Sequence, residues 1–143
     1  MKEKIRKPKI LIFDDDEPIR EVYEMTLSRA GFEVKTFKDY KNVIGVVLEE
    51  KPDIIWCDIL MPEPINGFEA LELLKKDKET RKISVVMVSN VGEPQDINRA
   101  FKLGADDYFL KIKYTPSKLA EILKEHLSKK GKLNQSHFKK LKF

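Results

Sequence analysis

Five short apolar runs recur along the chain: KILIF (9–13), EVKTF (33–37), DIIWC (53–57), ISVVMVS (83–89) and DYFLK (107–111). Three of them are nearly continuous in apolar residues, the pattern of strands covered on both faces rather than on one. No other feature narrows the fold so far. Strands hidden on both sides need a layer above and a layer below, and the segments between them must supply both.

Those segments read as helices. Ile19, Val22, Tyr23, Met25 and Leu27 give residues 18–30 a broad apolar face, with Asp16 as cap and Gly31 as stop. A second helix is expected from about Asp39 to Glu50, with Val43, Val46 and Val47 inward and an end before Pro52. The third starts near Asn66 or Gly67 and turns Phe68, Leu71 and Leu74 inward. The fourth runs from Pro94 to Gly104 around Ile97, Ala100, Phe101 and Leu103. The fifth has Thr115 as cap and Pro116 in its first turn, with Leu119, Ile122, Leu123 and Leu127 inward. Five strands alternating with five helices predict an α/β fold, a doubly wound five-stranded parallel sheet with helices on both faces.

Composition sets limits on location and partners. The 143 residues suit one domain. No run approaches the roughly 20 apolar residues of a membrane span, and MKEKIRKPK does not resemble a signal peptide, so a cytoplasmic location without membrane contact is expected. Cys57 is the single cysteine and lies inside an apolar run, where a small buried side chain is expected. The net charge of +4 is a property of the C-terminal end, where residues 119–143 hold seven lysines against Glu121 and Glu125. Phe138 and Phe143 stand among those lysines, but no nucleic-acid-binding fold surrounds them, and an ordinary solvated tail is the expectation. His126 and His137 lack metal-ligand spacing.

In doubly wound sheets, ligands bind beyond the carboxyl ends of the strands. Strand one ends in Asp14, Asp15 and Asp16, strand three in Asp58, strand four in Ser89 and Asn90, and strand five in Lys111. If strands one and three are neighbours, Asp14, Asp15 and Asp58 converge, and their repulsion calls for a cation. Magnesium favours carboxylate oxygens and is usually completed by phosphate. A carboxylate can itself accept a phosphoryl group, with Lys111 and the Ser89 hydroxyl as donors to its oxygens.

ILIFDDDEP, WCDILMP, NGFEALELLK, VVMVSN and GADDYFLK, in this order and spacing, resemble the receiver domain of bacterial response regulators over about residues 8–128. The resemblance implies a flavodoxin-like (βα)5 fold with strand order 2-1-3-4-5. It implies three segments: a basic N-terminal stretch (1–8), a receiver domain (9–128) and a basic, mobile tail (129–143). By position, Asp58 becomes the phosphoryl acceptor. Asp14, Asp15, Asp58 and the backbone carbonyl of Leu60 become ligands of Mg2+, and Lys111 and Ser89 contact the phosphoryl group. Ser89 and Tyr108 form the switch, with Tyr108 moving inward on phosphorylation. The implied partners are a sensor histidine kinase or phosphotransfer protein, and a downstream protein or a second copy on the face of helix four, strand five and helix five. The chain is then expected to be a stand-alone phosphorelay switch rather than an enzyme.

Two departures from that pattern bear on the site. Ile112 follows Lys111 where receivers usually carry a cis-proline, and a cis bond without proline costs about 2.5–4 kcal/mol, so a trans bond and a remodelled 111–115 loop are expected. EPING is one residue longer than usual after Asp58, with Asn66 in place of an aspartate. Two other readings remain open at this point: a receiver that binds its partner without phosphorylation, and a haloacid dehalogenase-type phosphatase with Asp14 as nucleophile and Asp16 as acid. Trp56 is expected in the core, near enough to Asp58 to report binding by fluorescence.

Overall fold

Residues 6–128 are described by the computed structural model, and their elements follow the expected alternation. These are β1 (Lys9–Phe13), α1 (Glu17–Arg29), β2 (Glu33–Phe37), α2 (Val43–Glu50), β3 (Ile54–Cys57), α3 (Gly67–Lys76), β4 (Ser84–Ser89), α4 (Pro94–Lys102), β5 (Asp107–Leu110), and α5 (Pro116–Ser128). A 3-10 turn, Lys111–Lys113, joins β5 to α5. The readings made for residues 1–5 and for the 129–143 tail, including His137, Phe138 and Phe143, lie outside the described residues.

All strand pairs are parallel and the order is β2-β1-β3-β4-β5. β1 therefore lies between β2 and β3, and strand order reverses beside it, which opens a crevice at the carboxyl edge of β1 and β3. Side chains alternate across the sheet with the two-residue period of a strand. Leu11, Phe13, Ile55, Cys57, Val85, Met87 and Tyr108 face a core closed by α2, α3 and α4. Ile10, Ile12, Ile54, Trp56, Val86, Val88 and Phe109 face a core closed by α1 and α5. Cys57 is a buried free thiol. No helix among the described residues is long and apolar enough to cross a membrane.

Capping chemistry explains most helix ends. Asp16 accepts the Ile19 N–H at 3.1 Å, and Thr115 Oγ1 accepts the Lys118 N–H at 3.1 Å. Asn66 forms a reciprocal box with Glu69 at the start of α3, at 2.9 Å in each direction. Gly31 takes φ +107° just past α1, a conformation that favours glycine.

Two helices differ from expectation. α2 begins at Val43, not Asp39, because the Asp39 carboxylate accepts the Lys41 N–H in a turn and Asn42 adopts a left-handed conformation. That turn drives Tyr40 into the core. α1 buries only Tyr23 and Leu27, while Ile19, Val22 and Met25 are 36%, 44% and 49% exposed. α5 accounts for the difference, since its buried Leu119, Ala120, Ile122 and Leu123 share the same side of the sheet and leave α1 a narrow stripe to cover.

Asp107 is a carboxylate inside this core, fully buried on β5 on the same face as Phe109. Its Oδ1 accepts the Tyr108 N–H at 2.8 Å, but Oδ2 has no partner among the described residues. Burial pushes its pKa from an ordinary 3.8 up to about 7, against the lowering effect of the Tyr108 N–H and with a smaller rise from Asp106. The folded chain thus keeps this proton over a range where the unfolded chain releases it. The stabilisation is fully present below about pH 3.8 and is lost as pH rises through about 7. Asp107→Asn should therefore be more stable than wild type at pH 8, by on the order of 4 kcal/mol at most, with the gain shrinking toward pH 4. Urea unfolding of both proteins across that range checks the sign.

Candidate functional site

The carboxyl ends of β1 and β3 carry the site because the ladder extends one residue past each strand. Asp58 N–H donates to the Phe13 carbonyl and Asp14 N–H to the Phe37 carbonyl, both at 3.0 Å. These bonds fix the two aspartates side by side. Asp14 is fully buried, Asp58 is 5% exposed and Asp15 is exposed. One carboxylate oxygen from each of the three lies within 4.8 Å of the others.

Lys111 reaches into this group from the end of β5. Its Nζ donates to Asp14 Oδ2 and to Asp58 Oδ2, at 2.7 Å each. The remaining oxygens are held locally: Asp14 Oδ1 accepts the Asp16 N–H at 3.0 Å and Asp58 Oδ1 accepts the Ile59 N–H at 2.7 Å. Burial raises the pKa of Asp58, an effect opposed by its bonds to Lys111 and reinforced by Asp14. Burial alone would lower that of Lys111, but its bonds to Asp14 and Asp58 outweigh this, and the ammonium is held well above its ordinary range. One positive charge thus stands against three carboxylates. The excess of negative oxygen ligands suits a hard divalent cation with open coordination positions.

Ser89 and Tyr108 meet at Val91. The buried Ser89 hydroxyl accepts the Val91 N–H at 3.2 Å and also acts to lower the pKa of Asp58. The Tyr108 hydroxyl donates to the Val91 carbonyl, and its ring is fully buried in the core closed by α4. The sequence reading has Tyr108 moving inward on phosphorylation; here it is already inside. Leu60 lies two residues beyond Asp58 with its side chain 68% exposed. Asp16 commits a carboxylate oxygen to capping α1, which leaves no observation in favour of an acid role.

The loop after β5 has the trans bond expected of it. The only cis peptide among the described residues joins Glu63 and Pro64, so Lys111–Ile112 is trans. Ile112 projects from the 3-10 turn, 81% exposed. Sequence reasoning missed Tyr40, whose hydroxyl donates to the Asp58 carbonyl, and Arg20, whose guanidinium donates to the Asp14 carbonyl at 2.9 Å. An aromatic inside the polar stretch FKDYKN was the available signal for Tyr40.

The family model for the response regulator receiver domain matches residues 10–124. The chain is 34% identical over 122 residues to the phosphate regulon transcriptional regulatory protein PhoB of Pseudomonas aeruginosa, covering 85% of this chain and 52% of that protein. It is 35% identical over 104 residues to the DNA-binding dual master transcriptional regulator RpaA of Synechocystis, covering 73% of this chain and 43% of that one. The chain thus spans about half the length of the curated relatives it matches. Among solved structures, a CheY-like receiver domain protein from Methanospirillum hungatei superposes with a TM-score of 0.76 at 27% identity, covering 86% of this chain and 95% of the other. The chemotaxis protein CheY4 of Vibrio cholerae gives 0.74 at 26%, with 83% and 98% covered.

Removing Lys111 leaves Asp14 and Asp58 facing each other without their counter-charge. Lys111→Ala should lose about 2 kcal/mol of stability, below the range for fully buried pairs because the ammonium is partly exposed. Adding Asp14→Asn should restore part of the loss. Equilibrium urea unfolding in the presence of a chelator measures both.

Proposed function

The chain belongs to the response regulator receiver family, and on that footing we propose that Asp58 accepts a phosphoryl group from a histidine-bearing partner and thereby switches a protein-binding surface. Receiver domains act as signalling switches in two-component systems rather than as enzymes. The observation that carries the proposal is the single ammonium shared at 2.7 Å between Asp14 and Asp58 at the sheet edge.

Asp14, Asp15, Asp58 and the Leu60 carbonyl would hold Mg2+, which when bound supplies positive charge to the phosphoryl oxygens. An Asp58 carboxylate oxygen attacks phosphorus, and the bond from phosphorus to the donor nitrogen breaks with its electron pair on nitrogen. Lys111 neutralises charge on the transferred group, exchanging part of its contact with Asp58 for the new oxygens. Ser89 turns its hydroxyl to the same group and releases the Val91 N–H, so the 89–93 segment and Tyr108 adjust together. The surface affected is that of α4, β5 and α5, the face proposed for a downstream protein or a second copy. The donor would approach across the open side of the site, where α1 presents Ile19 and Val22 and the 3-10 turn after β5 presents Ile112.

A second reading, partner binding without phosphorylation, draws on Tyr108 being already packed inside with its hydroxyl on Val91. Magnesium and a small phosphodonor separate the two. Wild type should gain one phosphoryl group, detected by intact mass, and Asp58→Asn or added chelator should abolish the gain. Labelling that persists in Asp58→Asn would refute the assignment of Asp58. Beryllofluoride with magnesium should change the fluorescence of Trp56, which lies two residues before Asp58. Silence in both assays would favour the second reading.

A further inference from the structure

Asp58 is held by more than its side-chain contacts. Tyr40 stands in the connection between β2 and α2, 1% exposed, and its hydroxyl donates to the Asp58 backbone carbonyl at 2.5 Å. Its ring stacks on Phe13 with centroids 5.0 Å apart, and Phe13 stacks on Phe37 at 4.9 Å. Phe13 is the last residue of β1, directly before Asp14. The same aromatic stack thus underlies Asp14 and locates the donor for Asp58.

The other side of that carbonyl is closed by Gly67. A Cβ on residue 67 would lie 2.3 Å from the Asp58 carbonyl oxygen and 2.6 Å from Ile59 Cα, so only glycine admits this approach. Gly67 N–H donates to the Ile59 carbonyl at 2.8 Å, and the Ile59 N–H donates to Asp58 Oδ1 at 2.7 Å. The two successive peptides after the Asp58 Cα are therefore pinned at the Asp58 carbonyl, the Ile59 N–H and the Ile59 carbonyl. With that backbone fixed, the Ile59 N–H holds Oδ1 and Oδ2 meets Lys111, so the carboxylate is oriented through both oxygens. Among these three bonds, the Tyr40 bond alone comes from a side chain outside the Asp58–Gly67 segment.

We propose that Tyr40 is a positioning residue for phosphorylation of Asp58, acting by clamping the Asp58–Ile59 peptide so that the carboxylate oxygen is presented to the incoming phosphorus. The proposal rests on the reading of Asp58 as phosphoryl acceptor. It does not depend on Tyr40 touching the donor, which its burial prevents. Tyr40→Phe removes the hydroxyl and keeps the ring in the stack. Reactions that depend on oriented groups slow by about ten-fold to a hundred-fold when the geometry loosens, and the lower figure is expected here.

The test compares the rate of labelling by a small phosphodonor with the Kd for magnesium read from Trp56 fluorescence, on the full chain and below the unfolding transition of every variant. Tyr40→Phe should label about ten-fold more slowly, with a magnesium Kd that weakens by much less than the rate falls, because Asp14 and Asp15 keep their places and only the Asp58 side of the site loosens. Phe37→Leu loosens the far end of the same stack while Phe13 still holds the Tyr40 ring and its hydroxyl, and should lower the unfolding temperature while slowing labelling by much less than Tyr40→Phe does. A wild-type rate in Tyr40→Phe would overturn the proposal. So would a loss in Phe37→Leu equal to that in Tyr40→Phe, or a magnesium Kd that weakens in parallel with the rate. Wild type that takes no label would instead defeat the underlying assignment of Asp58, an outcome separate from these.

Discussion

Two carboxylates buried side by side cannot both stay ionised without a counter-charge, and Lys111 provides it from the far end of the sheet. Much of the architecture follows from keeping that one ammonium in reach. β5 must end two strands away from β3, β4 must lie between them, and the turn after Leu110 must leave the lysine aimed back across the edge. The parallel order places all these strand ends on the same edge, which an antiparallel arrangement of the same five strands would not do. The ion pairs are therefore long-range in sequence, joining residue 111 to residues 14 and 58, and they exist only once the sheet is assembled.

What could be read in the sequence and what could not divide along physical lines. The strands were legible because both their faces are buried, and the residues that follow them stand out as polar groups after apolar runs. Asp14, Asp58, Ser89 and Lys111 were found in that way, and the fold brings them together. The bounds of α2 were not legible, because the Asx turn at Asp39 and the left-handed Asn42 compete with a helix on nearly equal local terms. The true width of the α1 face was hidden for a different reason: periodicity records which residues are apolar, while burial depends on how much of the sheet a neighbouring helix has already covered. The burial of Asp107 at the head of DYFLK is not written in that run, because it depends on α5 packing over this face of β5.

Tyr40 shows the same limit at the site itself. Its role follows from a turn that no apolar pattern announces, together with a glycine at the start of α3, some twenty-seven positions further on in the chain. The groups that hold a strand-end carboxylate in place come from the loops, and loops are where local sequence says least about contacts.

Val91 is bound at both of its backbone polar groups, by Ser89 on the N–H and by Tyr108 on the carbonyl. Only the Val91 Cα separates the two bonded groups, so a shift of this segment that frees one acts directly on the other. A serine drawn away therefore weakens the tyrosine's anchor, and a tyrosine swung outward weakens the serine's. If phosphorylation draws Ser89 away as proposed, the two side chains coupled through this one short segment would move as a pair rather than one by one. The coupling would then be carried by the Val91 backbone, so a residue that adds no side chain to the acidic cluster would decide whether the serine and the tyrosine move together.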